Sequence, residues 1–275
     1  MIIDGHAHAC GEYLNAGNII ADMNRNQVAK MILCPGEKDS NRSYNFPNFK
    51  KDHVYTLNQV IGLVTGLSGA AQHLTALNQF VFSLCRTNPE RLLQGYWINP
   101  NQSGAIHNLN RDWNDFRFAL LKIHQCWSYF RCHDASLAEI AAWALSKGVP
   151  IFIHLKTKRD VMEMIELCNA KRDNIFVIAH LIGIEEFVKQ KVLSENVYFD
   201  ISCPQLIPLE KLRIALEAFG PTRLLLGSDT PYGKKNIRLN IERINGLNLS
   251  ATEKELILGN NILKILAAAN EKEPS

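Results

Sequence analysis

What most restricts the fold of this chain is an alternation: eight short apolar runs separated by longer stretches of polar and helical character. The runs are Ile2–Asp4, Lys30–Cys34, Leu93–Ile98, Phe118–Ile123, Pro150–His154, Ile175–His180, Asn196–Ile201 and Arg223–Ser228. Strands that alternate with helices predict a parallel sheet with crossover helices. Runs such as "IFVIA" and "RLLLG" are apolar throughout, as strands buried on both faces must be. Eight such units make an α/β chain of the (β/α)8 TIM-barrel class, and 275 residues is close to the roughly 250 typical of that barrel. The alternative, an open doubly wound sheet, lacks a GxGxxG turn after an early strand.

Helices are expected near Asn18–Val28, Gly69–Thr87, Lys158–Ala170, Ile184–Leu193 and Pro208–Phe219. Ser136–Glu139 and Ser250–Glu253 have the spacing of capping boxes, and Gly148 marks a helix end. Between the third and fourth strands lies a Trp/Asn-rich connection. The long polar segment Pro35–Leu67 follows a strand, so in a barrel it lies over the active face. One domain is expected over 1–270, with a tail at 271–275.

The partner classes are narrowed by composition. A net charge of +3 without a basic stripe argues against nucleic acid. The absence of a long uncharged apolar run argues against a membrane span. Seven cysteines without a CxxC pair, and no leader-like segment before Ile2, suit free thiols in a reducing cytoplasm. A small-molecule substrate is the expected partner, with a homodimer as the default assembly.

The ends of the apolar runs carry the chemistry. His6 and His8 follow the first, Lys122 and His124 end the fourth, His154 the fifth, His180 the sixth, and Asp229 follows the eighth. In a (β/α)8 barrel all strand C-termini open on one face, where active sites sit. Residues two apart share a face of a strand, so His6 and His8 point the same way, as do Lys122 and His124. Singly, each has a plain reading: His154 as a core histidine, Asp229 as a turn residue beside a proline. Jointly, imidazoles and a carboxylate gathered at one mouth suit zinc or a similar divalent ion. His53, His73, His107 and His133 follow no apolar run and read as loop or surface residues. Arg42, Trp127 and Tyr232 lie on segments that border the mouth; Trp127 and Tyr232 either meet substrate or pack its rim.

In their order along nearly the whole chain, "DGHAH", "LLKIH", "FIHL", "VIAHLIG", "LLLGSDTPYG" and "LSATEKELILGNNILKIL" resemble the amidohydrolase superfamily. The nearest group is the amidohydrolase-related one that includes aminocarboxymuconate semialdehyde decarboxylase-like enzymes. The resemblance implies that His6, His8, His154 and Asp229 hold one catalytic zinc and that His180 orients or deprotonates water. It also leaves a second arrangement open, in which a carboxylated Lys122 bridges two metals; the "KIH" context is more similar to the mononuclear group. The chain is short for the family. The expected activity is metal-dependent hydrolysis of a small carboxylated or cyclic carbonyl substrate, with Lys122, His124, Trp127 and Tyr232 around it. Decarboxylation or hydration on the same metal is the alternative, and a catalytically silent binding barrel a third.

Overall fold

A computed structural model describes residues 1–36, 54–68, 73–191, 195–233 and 235–270. Strand β1 (Ile2–Ala9) is followed by helix α1 (Ala16–Arg25) and β2 (Val28–Pro35). Next come α2 (Val54–Ser68), α3 (Leu74–Cys85), β3 (Leu92–Trp97), α4 (Ala105–Phe116) and β4 (Leu120–His124). The second half runs α5 (Ala135–Lys147), β5 (Ile151–His154), α6 (Lys158–Ala170), β6 (Phe176–Ile178), α7 (Ile184–Lys189), β7 (Val197–Asp200), α8 (Leu209–Phe219) and β8 (Leu224–Leu225). It ends in α9 (Asn236–Asn245), α10 (Ala251–Glu255) and α11 (Asn261–Asn270).

All eight strands pair in parallel in chain order. Backbone hydrogen bonds then join β1 to the segment leaving β8: Gly5 N–H donates to Leu226 O at 2.9 Å, Ser228 N–H to His6 O at 3.1 Å and His8 N–H to Thr230 O at 2.8 Å. The sheet thus curls into a (β/α)8 barrel. Side chains such as Ile3, Ile32, Leu120, Phe152 and Val177 fill its interior. A larger apolar shell packs the strands' outer faces against the helices. All seven cysteines are free and buried, as small core residues. Among the described residues no helix is long and apolar enough to cross a membrane.

Four local expectations need correction. The described part of 35–67 beyond Gly36 is helical, in α2, and its Leu57, Val60, Ile61 and Val64 line the barrel mouth. The connection between β3 and β4 contains α4, a two-sided helix that buries Leu109 and Trp113. Ser136 does not cap α5. Asp134 stands at the N-cap, its side chain accepting from Arg131 N–H at 2.8 Å, so the helix begins two residues earlier than the Ser136–Glu139 spacing suggests. The sixth strand stops at Ile178, and His180 sits beyond it in left-handed backbone, φ 51°. The Ser250–Glu253 capping box forms as expected, and Gly148 ends α5 at φ 67°. Arg42 and His53, and the tail at 271–275, lie outside the described residues.

Candidate functional site

The strand ends converge as their positions in sequence require. His6, His8, Lys122, His124, His154, His180 and Asp229 are all buried at the C-terminal mouth. A cavity of about 250 Å³ opens there, lined by all of these except His6 and also by Trp97, Trp127 and Tyr232. Trp127 packs on Trp97 with ring centroids 4.4 Å apart, and Tyr232 meets His8 edge-on at 5.1 Å.

Hydrogen bonds to carbonyl oxygens, which only accept, place one ring N–H on each of three histidines. His8 Nδ1–H donates to Pro35 O at 2.5 Å, which turns its Nε2 toward Asp229 Oδ1 at 3.3 Å. His180 Nδ1–H faces Ser202 O at 3.2 Å, leaving Nε2 as the basic atom. Asn58 Nδ2 donates to Leu155 O and Lys156 O, so its Oδ1 accepts from His154 Nε2–H at 2.8 Å, and His154 keeps its lone pair on Nδ1. Fixing a ligand's tautomer through its far nitrogen is the usual support of a metal-binding histidine.

The electrostatics agree with ligation. Burial, reinforced by the Lys122 charge, holds His6 well below its ordinary pKa, and burial does the same for His124 and His154. Burial works against ionisation of Asp229, but His180 and His8 outweigh it and hold the carboxyl below its usual range. Neutral imidazoles beside an ionised carboxylate are the protonation states that metal binding requires. His8 Nε2 and Asp229 Oδ1 lie 3.3 Å apart, near enough to ligate one cation together in place of the hydrogen bond they otherwise share. The donor set therefore fits a divalent ion.

Potential ligand atoms fall into two groups, each within 4.8 Å: His6, His180 and Asp229 in one, His124, Cys126 and His154 in the other. His8 adjoins the first through Asp229. His154 instead stacks on His124, ring centroids 3.9 Å apart, and its ring lies 5.1 Å from that of His180. Burial pushes the Cys126 thiol up to about 12. Lys122 Nζ lies 2.9 Å from His6 Nε2, with its pKa lowered by burial.

Two residues went unremarked in the sequence. Asp200 ends β7, and Ser202 follows it. Ser202 Oγ donates to Asp200 Oδ2 and lies 3.1 Å from His6 Nδ1 and 3.0 Å from His180 Nδ1. Asp200 Oδ2 also accepts from His180 N–H at 3.1 Å. The signal for Asp200 was the one used elsewhere, a polar residue closing an apolar run, "VYFD".

The family model described as Amidohydrolase matches residues 54–267. No curated protein matches the chain. Solved structures share its fold. One is 5-carboxyvanillate decarboxylase from Sphingomonas paucimobilis, with a TM-score of 0.70 and 13% identity over 97% of this chain and 98% of that one. Another is 4-oxalomesaconate hydratase from Rhodopseudomonas palustris, at 0.68 and 13% over 98% and 97%. A third, a dihydroxybenzoic acid decarboxylase from a Polaromonas species with bound manganese and the inhibitor 2-nitroresorcinol, gives 0.70 and 13% over 97% and 96%. With the family model covering most of the chain, α2 through α11, this protein belongs to the amidohydrolase family.

Proposed function

We propose that this protein is a metal-dependent hydrolase acting on a small carbonyl compound. One divalent ion, zinc as the first choice, is held by His6, His8, His154 and Asp229, while His180 moves the proton. The observation that carries this reading is the convergence of His8 Nε2 on Asp229 Oδ1 at 3.3 Å, inside the buried group that brings His6, His180 and Asp229 ligand atoms within 4.8 Å of one another. When bound, such an ion polarises a substrate oxygen and stabilises the charge that develops there.

The chain's own residues supply the rest. His180 Nδ1–H is committed to Ser202, so Nε2 takes a proton from water as it adds to the carbonyl carbon and returns it to the leaving group. Asp200, buried and hydrogen-bonded to the same serine, stabilises the imidazolium that forms. His124 and Lys122 line the floor, and Trp127 and Tyr232 border the substrate. A second arrangement exchanges the two histidines, with His180 a ligand and His154 the base; the grouping of His6, His180 and Asp229 favours it. Decarboxylation is the second reading of the chemistry, favoured by the decarboxylases and hydratase among the similar structures.

Metal content decides between the arrangements. His154→Asn is expected to lose bound metal, whereas His180→Asn keeps it and loses turnover by at least ~100-fold. The reverse pattern exchanges the two roles, and full metal with full turnover in both variants refutes the site. Carbon dioxide release from a carboxylated substrate would establish the lyase.

A further inference from the structure

The wall of the cavity opposite the histidines is apolar. Leu57, Val60, Ile61 and Val64 of α2 follow one helical face and meet Leu206 and Trp97 across the opening. Two polar residues of α2 are already engaged within the protein: Asn58 binds Leu155 O, Lys156 O and His154, and Thr65 Oγ1 donates to Cys126 O at 2.6 Å. Lys122 is the one ammonium among the described lining residues. It is 1% exposed, lies against His6 Nε2, and is not placed to pair with a remote anionic group. Val60 and Val64 line the cavity and yet are 54% and 55% exposed. The apolar wall thus runs from the reacting groups out to solvent. Trp97, 1% exposed on the same cavity, keeps its Nε1–H without a partner among the described residues. A buried unpaired donor is destabilising, and an oxygen of a bound ligand would satisfy it.

We infer that the substrate is an acyl amphiphile, such as an acyl lactone or acyl amide. Its carbonyl end reacts at the histidine–aspartate cluster and its hydrocarbon arm lies along α2. The inference rests on the metal-site reading for its head and on the cavity wall for its arm.

The test uses two homologous series on the metal-loaded protein, followed by indole fluorescence and calorimetry. Straight-chain hydroxamic acids, from acetohydroxamate to octanohydroxamate, carry a chelating head. The matching primary alcohols carry none. Affinity is expected to rise about three- to four-fold per methylene in both series until the cavity is filled. Ile61→Asn flattens that slope, and so does Val64→Ser at a half-exposed position where folding is little affected. If acetohydroxamate binds and neither series gains with length, the hydrocarbon arm is refuted and the metal site stands. If the alcohols gain with length while acetohydroxamate fails to bind, the arm stands and the metal-site reading falls. Failure of both probes refutes both.

Discussion

The site is assembled by single residues that accept poor local geometry. His180 and Asp229 both have left-handed backbone, φ 51° and 60°, a conformation that costs a non-glycine residue about 1–3 kcal/mol and concentrates at functional sites. Gly227 is required by proximity rather than by its own backbone angle. A Cβ there would lie 2.3 Å from Asp200 Oδ1 and 3.1 Å from His6 Cβ, so the "LLLGSD" glycine lets β8 approach the cluster. Ser202 is the hub between His6, His180 and Asp200. Ser202→Ala is expected to keep the fold and lower turnover or metal affinity about 10- to 100-fold, with Thr restoring most of it. Metal titration and steady-state rates on the two variants check this; an alanine variant with wild-type values in both would remove Ser202 from the machinery.

At the scale of elements, α2 makes two contributions. Its apolar face closes one side of the cavity, and Asn58 locks it to the end of β5 through Leu155 O, Lys156 O and His154. Asn58→Ala strands two buried polar groups and a part-buried carbonyl and is expected to cost about 2 kcal/mol in thermal or denaturant unfolding. Asn58→Asp is expected to cost more, because it sets a carboxylate against two carbonyl oxygens. An aspartate variant more stable than the alanine would show that the amide donors matter little. The sequence concealed this helix because its apolar residues face a cavity and solvent as well as the core, which blurs the usual one-sided pattern. In α6 the apolar residues face the core alone, and the expected bounds Lys158–Ala170 are the observed ones, with Thr157 at the N-cap.

Across the whole molecule, the barrel is held by continuous apolar layers and by a few charged ties, among them one that joins α6 to the loop between β4 and α5. Glu163 of α6 receives Arg131 at 2.6 Å and Arg159 at 3.1 Å, and Cys132 N–H at 3.2 Å. Burial alone would raise its pKa, but these hydrogen bonds hold it below the usual carboxylate value. A depressed carboxyl stabilises the fold above its unfolded pKa of roughly 4.3 and loses that contribution as pH falls through the folded value. Thermal stability is therefore expected to fall below about pH 4 in the wild type. Glu163→Gln should start less stable at neutral pH and show a shallower acid limb. Parallel acid limbs in the two proteins would exclude Glu163 as a contributor.

Local chemistry along the chain was sufficient for the eight-unit alternation, for the strand-end histidines and aspartate, and for the family resemblance, because each depends on short-range periodicity or on residues adjacent in sequence. Which nitrogen of each histidine carries its lone pair was not accessible in that way. It depends on Pro35, Asn58 and Ser202, and these partners come from β2, from α2 and from beyond β7. The apolar character of the cavity was equally hidden, since its walls join α2 to Trp97 and Leu206, segments far apart along the chain. Hydrogen-bond partners and cavity walls exist only after the barrel closes, and closure is a long-range event that no local pattern encodes residue by residue.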